Sequence, residues 1–333
     1  MRVVAAPDKL RGTAGAVDVA RAIGRVARRA GWECVERPLA DGGEGTLEVL
    51  GGANRSTTVS GPLGDPVHAA WRLDDRRAVV EMAQASGLQL VGGPERNDPV
   101  AASTVGTGEL VARAIELGAR QVLVGCGGSA TTDGGLGAVR ALYPLHRLGA
   151  VDLTVLCDVR TSFLDAATAF APQKGASPAQ VELLRRRLQR LADVYLADHG
   201  VDVRSIEGSG AAGGLAGGLA AIGAELVSGL DAIAEEIGLD EAMEGADVVI
   251  TAEGFLDEQS FEGKVVGGVV AAAQSAGVAC VAIAGEVLPG LACPRRGEPG
   301  SVETVSLVER YGRQRAENDT LSCIEDVVAS LLG

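Results

Sequence analysis

Four acidic residues each follow a short apolar run: Asp8 after Val3–Ala6, Asp41 after Pro38–Ala40, Asp158 after Leu153–Cys157 and Glu253 after Val248–Ala252. In open parallel sheets ligands bind beyond the carboxyl ends of the strands, which is where such acids fall. A carboxylate there can hold Mg²⁺, which usually takes one or two protein carboxylates plus phosphate and water. It can instead take a proton from a substrate hydroxyl. Any one of these acids is adequately explained as a helix N-cap; the set of four points to function. Asp133 and Asp257 lie in loops close by in sequence. Cations accompany the acids: Lys9 and Arg11 follow Asp8, Lys174 follows Gln173, and Lys264 opens a helix after Glu262-Gly263. Lys and Arg are the usual partners of phosphate and carboxylate. Singly each reads as a solvated surface charge, but their glycine-bounded loops favour a ligand role.

The most concentrated of these loops is Gly125–Gly137, in which glycines, hydroxyls and Asp133 stand between the apolar run Gln121–Val124 and a helical pattern, Leu136–Leu142. Two readings are open. Glycine lets a backbone approach an anion closely, and amides at a helix start favour negative charge, which suits phosphate. A tight strand-to-helix turn would need the same glycines. Sharper motifs fail. There is no GxxxxGK[ST] and hence no P-loop. Gly125–Ala130 does satisfy G-x-G-x-x-G/A, but Leu145-His146-Arg147 stands where a dinucleotide fold needs an acid about 20 residues on, so a nicotinamide dehydrogenase is a weak alternative. There is no GxSxG elbow, and His68, His146 and His199 share no motif with a nucleophile.

Composition narrows the function classes. The net charge of −14 argues against nucleic acid, which requires a basic footprint; an anionic substrate must be met by local cations or by metal. Six cysteines without CxxC spacing read as scattered thiols of a reducing compartment, not as a zinc site. The charge-free runs Val265–Gly285 and Gly208–Ala224 are dominated by Gly and Ala and read as packed helix, strand and loop, not as membrane spans. A soluble, cytoplasmic protein is expected, with no charged-then-apolar signal segment at Met1.

The elements that position these residues alternate. Arg2–Ala6 is a strand, Thr13 the expected N-cap of a helix carrying Val17, Ala20, Ile23, Val26 and Ala27, Glu33–Leu39 a strand and Thr46–Leu50 a helix, which is βαβα in character. Ser56–Ser60, His68–Leu73 and Arg77–Met82 read as an antiparallel meander. Gly106–Leu117 is a helix, Val151–Leu156 a strand, Pro178–Leu196 an amphipathic helix, and Gly208–Gly218 a glycine segment opening onto a helix to about Leu226. Alternation returns with strand Asp247–Thr251, helix Lys264–Ala276, strands Val278–Ala284 and Val302–Val308, and helix Asn318–Leu332. The ends resemble each other and the middle differs. The fold expected is therefore α/β with two domains. One is a doubly wound, Rossmann- or flavodoxin-like parallel-sheet domain from 1–55 and 240–333; the other is an α/β domain inserted at 56–239.

Taken together the motifs resemble the type I glycerate kinase family. They are Ala6-Pro7-Asp8 with Gly12, Leu39–Thr46, Gly61–Val67, Glu81–Leu88, Ser103–Leu110, Gly127–Gly135, Cys157-Asp158-Val159, Pro172–Ala176, Gly210–Leu215, and Glu253-Gly254 through Leu256-Asp257, Gln259-Ser260 and Gly263-Lys264, in the family's order over nearly the whole chain. The resemblance implies ATP- and Mg²⁺-dependent phosphorylation of a D-glycerate hydroxyl in an interdomain cleft. The product would be 2-phosphoglycerate in preference to 3-phosphoglycerate. On that footing Asp8 or Asp158 orients or deprotonates the hydroxyl, Arg11 and Lys174 bind substrate carboxylate or transferring phosphoryl, and Asp41 with Glu44, or Asp133, holds Mg²⁺. Substrate and nucleotide contacts fall to Lys9, Gly42, Gly43, Thr104, Gly106, Thr107, Gly127, Gly128, Ser129, Thr131, Gln173, Glu253, Asp257 and Lys264. The partner is a small hydroxy acid, with neither nucleic acid nor membrane; a homodimer is left open. Departures fall on presumed ligand loops. The family usually reads Asp-Ser-Phe-Lys-Gly where this chain has Asp8-Lys9-Leu10-Arg11-Gly12. Thr132 replaces an asparagine, Arg160-Thr161 an Asp-Asn, and Phe255 an arginine, and a segment after Arg140 is nearly absent. They keep two rivals in view: a kinase of another small hydroxy acid, and a non-catalytic nucleotide- or metabolite-binding member of the family.

Overall fold

The computed structural model describes residues 1–10, 12–261, 264–291 and 302–333, and at Gln259 the backbone alone. Its strands in chain order are β1 Arg2–Ala5, β2 Glu33–Glu36, β3 Arg55–Ser60, β4 Pro66–Asp74, β5 Arg77–Glu81, β6 Gln121–Gly125, β7 Asp152–Leu156, β8 Glu225–Val227, β9 Val248–Leu256, β10 Ala279–Val287 and β11 Val302–Ser306. The chain divides into two compact units, Met1–Asp41 with Leu230–Gly333, and Gly42–Gly229.

In the first unit the five strands among the described residues are all parallel, in the order β11-β10-β9-β1-β2. Numbered within the unit this is 2-1-3-4-5, the flavodoxin-like order, whose direction of winding reverses between β1 and β9. Helices cover both faces, so the strands are apolar throughout: Val3, Val4, Ala5 and Ala6 are wholly buried. On one face helix Ala16–Arg29 packs Val19, Ala20, Ile23, Val26 and Ala27 with Ile324, Val327 and Val328 of helix Thr320–Leu332. Burial of an Ile or Val side chain at such spacing contributes about 1.5–3 kcal/mol. Helix Val265–Ala276 buries Val265, Val266, Val269, Val270 and Ala273.

Thr13 does not cap the first helix. Gly15 is its N-cap, and Thr13 Oγ1 donates to the Leu10 carbonyl at 3.0 Å. The hydroxyl is spent on the turn Leu10–Ala14, whose ends pair at 2.8 and 3.0 Å. β9 and β10 also run past their apolar stretches. Glu253 pairs with Ala284 and Phe255 with Glu286, so Glu253 lies within a strand and not in a loop after it. The ladder is a backbone property and continues wherever the neighbouring strand does.

The second unit holds a six-stranded mixed sheet, β3-β4-β5-β6-β7-β8, antiparallel through β5 and parallel beyond. The meander thus joins the α/β part in one sheet. Trp71 of β4 is fully buried, and its indole N–H donates to Thr57 Oγ1 at 2.9 Å, giving the ring's polar edge a partner. The segment expected to stay helical to Leu226 instead ends at Ala221 and turns at Gly223, φ 100°, into β8. The start of that helix is irregular: Ala212, Gly213 and Gly214 take φ of 52°, 70° and 90°. A Cβ at Gly213 would collide with the Thr131 carbonyl. Close approach and left-handed geometry both require glycine there.

Candidate active site

The first unit brings six of the expected residues to one pocket at its switch point. Its volume is about 450 Å³, and Asp8, Lys9, Asp41, Glu253, Asp257 and Lys264 all line it. Asp8 follows β1, and its amide donates to the Ala252 carbonyl at 2.8 Å, holding it against β9. Its Oδ1 accepts from the Lys9 amide at 2.7 Å. The Lys9 ammonium lies 3.7 Å from Asp8 Oδ1 and 3.9 Å from Asp41 Oδ1, between two carboxylates. Burial raises the Asp8 carboxyl to about 6; Lys9 opposes the shift and Asp41 adds to it.

Glu253 is 7% exposed. Its Oε1 accepts a hydrogen bond from Ser260 Oγ, which accepts in turn from the Asp257 amide at 3.1 Å. The Ser260 amide donates to Asp257 Oδ1 at 2.9 Å, and Lys264 Nζ stands 4.0 Å from the same oxygen. Burial pushes Glu253 up to about 7; the Ser260 bond and Lys264 oppose this, while Asp8 and Asp257 reinforce it. Two carboxyls that titrate near neutrality in one crevice suit proton transfer, and their crowding is what a bound cation would relieve.

The second unit gathers Thr104, Gly106, Thr107, Ser129, Thr131, Asp133 and Lys174 around the turn after β6. The turn is tied from several sides. The Ala130 amide donates to Ser86 O at 2.9 Å, Leu88 N to Gly128 O at 2.8 Å, and Asn97 Nδ2 to the Ala130 and Lys174 carbonyls at 3.0 and 2.9 Å. Ser86 and Thr107 share a buried hydroxyl pair at 2.8 Å. Asp133 accepts from the amides of Thr104, Gly135 and Gly137 at 2.9, 3.1 and 3.2 Å, and from Thr104 Oγ1 at 2.9 Å. That donor set makes it an organiser of the turn. Lys174 is buried and its ammonium donates to the Thr131 carbonyl at 2.6 Å. Burial lowers its pKa to about 7, with Asp133 opposing. The Thr131 and Thr132 hydroxyls are buried without a hydrogen-bond partner.

The Gly42-Gly43 backbone packs directly on this turn: a Cβ at Gly127 would lie 2.6 Å from Gly43 Cα. Glu44 and Gln173 are exposed. Asp158 follows β7, and its Oδ1 accepts from Ser228 Oγ at 3.3 Å and Gly229 N at 2.9 Å. Arg11 lies outside the described residues. Arg160 is 92% exposed and pairs with Glu207 at 3.3 Å. Among the described residues no three His, Cys, Asp or Glu side chains are grouped as a metal cluster.

Four residues of structural weight were given no role by the sequence reading. Ser260 links Glu253 to Asp257, and Glu81, buried, accepts from the Gly45 and Leu47 amides at 2.9 and 2.7 Å. Glu286 and Arg313 line the first unit's pocket. Glu286 carried the same signal as Asp8, an acid at a strand's carboxyl end; Arg313 carried none. No helix among the described residues is long and apolar enough to cross a membrane.

A sequence profile of the glycerate kinase family matches residues 3–143 and 144–329. Glycerate 2-kinase of Escherichia coli (strain K12) is 38% identical over 327 residues, covering 86% of this chain and 86% of that protein. Glycerate kinase of Halalkalibacterium halodurans is 38% identical over 330 residues, again with 86% of each covered. A crystal structure of a Salmonella typhimurium LT2 protein assigned as glycerate kinase 2 is 34% identical and superposes with a TM-score of 0.81 over 99% of this chain and 98% of that one. With the two-unit α/β architecture and the acids at the switch point, these matches establish that the chain belongs to the glycerate kinase family.

Proposed function

We propose that the chain transfers the γ-phosphoryl group of MgATP to the 2-hydroxyl of D-glycerate. The observation that carries this reading is the pair of half-buried Asp8 and buried Glu253, carboxyls raised to about 6 and 7 in one crevice at the switch point. Above pH 6 Asp8 is largely ionised, and its carboxylate can accept the hydroxyl proton as the oxygen attacks phosphorus. The new O–P bond forms as the bond to the β-phosphate bridge breaks, and ADP leaves. Asp8 is preferred to Asp158 as the base because it lines the pocket and titrates in the working range. Glu253, fixed by Ser260, holds a second proton position beside it.

The donor set fits a divalent cation at Asp41, since Mg²⁺ takes one or two carboxylates along with phosphate oxygens; Lys9 would share that carboxylate with it. Mg²⁺ so held supplies charge neutralisation to the transferring phosphoryl. Lys9 and Lys264 add to it, and positioning with charge neutralisation provides most of the catalysis in such transfers. Asp133 is left out of the metal set because its oxygens serve the turn. In the second unit the side-chain-free backbone of Gly127 and Gly128 remains the candidate for nucleotide phosphate.

NMR of the product formed from D-glycerate and MgATP tests the reading. Formation of 2-phosphoglycerate that stops on chelation of Mg²⁺ is expected; absence of any phosphorylated glycerate would overturn it. One observation favours a different hydroxy acid as acceptor: Phe255, 46% exposed, stands at this pocket where the family usually carries arginine. Turnover of another acid in the same assay, without turnover of D-glycerate, would select that reading.

A further inference from the structure

We infer that Arg313 is the residue by which the pocket recognises the carboxylate of its hydroxy-acid substrate, and that Glu286 occupies this anion position until substrate displaces it. The inference rests on the proposed hydroxy-acid kinase reading and names a determinant within that site.

Arg313 begins helix Arg313–Asn318 and Glu286 lies near the end of β10. Both line the pocket that contains Asp8 and Glu253. The Arg313 Nη2 lies 2.8 Å from Glu286 Oε1 and 2.7 Å from Oε2, so a carboxylate already rests on the guanidinium with both oxygens. The other acid near it, Glu317, is only loosely engaged, at 3.4 Å from Nη1. The two described lysines of the pocket are differently committed: Lys9 stands between Asp8 and Asp41, and Lys264 beside Asp257. An ammonium is a point charge, whereas a guanidinium presents planar donors that match a carboxylate. The Arg313 and Glu286 side chains are 58% and 39% exposed. Solvated pairs of this kind hold weakly and exchange readily. An incoming carboxylate therefore meets a cation whose present partner is chemically identical and easily displaced. Release of Glu286 moves one negative charge off the guanidinium as another arrives, which suits a pocket whose acids outnumber its described cations.

The test measures KM and kcat for D-glycerate, and calorimetric Kd for D-glycerate against glycerol, in the intact chain and in Arg313→Met, Arg313→Lys and Glu286→Gln. Loss of a charged hydrogen bond predicts an increase in KM and Kd of about tenfold to a hundredfold in R313M, with kcat changed by less than about threefold and KM for ATP unchanged. R313K, keeping charge but not geometry, should fall between. E286Q should lower KM for D-glycerate, because the competing anion is gone. This opposite sign is not produced by misfolding or by a structural role for the pair. Unchanged Kd for D-glycerate in R313M, or a raised KM in E286Q, overturns the inference, as does binding of glycerol as tight as that of D-glycerate by the intact chain. Failure of the parent reading looks different: no D-glycerate is phosphorylated, yet a hydroxy acid still binds in preference to its neutral alcohol and loses that preference in R313M.

Discussion

Replacing Glu253 by glutamine should stabilise the first unit at pH 8 and leave it nearly unchanged at pH 4, while abolishing most activity. Its carboxyl is raised from the ordinary 4.5 to about 7, with burial as the largest cause. Between those values the folded chain holds a proton that the unfolded chain has lost, so stability falls as pH rises through the window. Below pH 4.5 both states are protonated and there is no penalty; above pH 7 both are ionised and the penalty is complete. Linkage sets it at about 3 kcal/mol. Glutamine has the same shape, its carbonyl oxygen still accepts from Ser260 Oγ, and it carries no charge to desolvate. For a unit of this size the gain corresponds to a rise of about 5 °C or more in the melting temperature. The assay is a pair of thermal melts, E253Q against the intact chain, at pH 4 and pH 8, with turnover measured alongside. Equal gaps at the two pH values, or a variant less stable at pH 8, would refute the claim that the carboxylate is held against its own solvation. A stable but inactive variant would show why an ionisable group occupies a position that an amide fills at lower free energy.

Asp8→Asn should lower kcat by about 10²–10⁴-fold, the usual contribution of a positioned base. In the intact chain kcat/KM should fall as pH drops below about 6, because protonated Asp8 cannot accept the hydroxyl proton; a pH–rate profile flat down to pH 5 would reject Asp8 as base. Lys174 makes a prediction of opposite sign in the second unit. Its pKa is lowered from the ordinary 10.5 to about 7, so between these values the unfolded chain binds the extra proton and stability rises with pH. Thermal melts from pH 7 to 10 should show that rise, and Lys174→Met should remove it.

How far the sequence discloses this protein depends on whether a residue's role is local. Asp8, Asp41, Asp257 and Lys264 were legible because an acid or cation after an apolar run already implies a strand end or helix start, and the sheet order then places those ends together. Glu253 was legible as a residue but misplaced as a loop residue, since hydropathy drops at Glu253-Gly254 while the backbone ladder to β10 does not. Asp133 and Lys174 read as ligand groups from their glycine-bounded loops and the family motifs they share. The structure adds that Gly213 packs closely on Thr131 and Thr132 within this turn, and that the two side chains also hold backbone groups inside it. Thr13 failed as a cap for a related reason: a hydroxyl just before a helix has several carbonyls within reach, and the turn at Leu10 took it. Arg313 was invisible because its partner Glu286 is 27 residues away, and only the tertiary fold returns that helix to the end of β10.

The charges of the first unit's pocket have a common logic. A chain of net charge −14 must admit an anionic acceptor to a crevice already crowded with carboxylates, and burial lifts two of these, Asp8 and Glu253, above the ordinary carboxylate range. Each described cation of the pocket sits beside an acid, Lys9 by Asp8 and Asp41, Lys264 by Asp257, Arg313 by Glu286. None is therefore an unscreened attractor for any passing anion; binding requires a ligand that can replace a carboxylate or bring a metal to the others. Such a site discriminates by exchange: an acid bearing a hydroxyl can replace Glu286 at Arg313 while offering its proton to Asp8, and a neutral polyol can do only the second. The selectivity expected is for carboxylate over alcohol, set by a cation outside the family motifs, with the chemistry left to the acids within them.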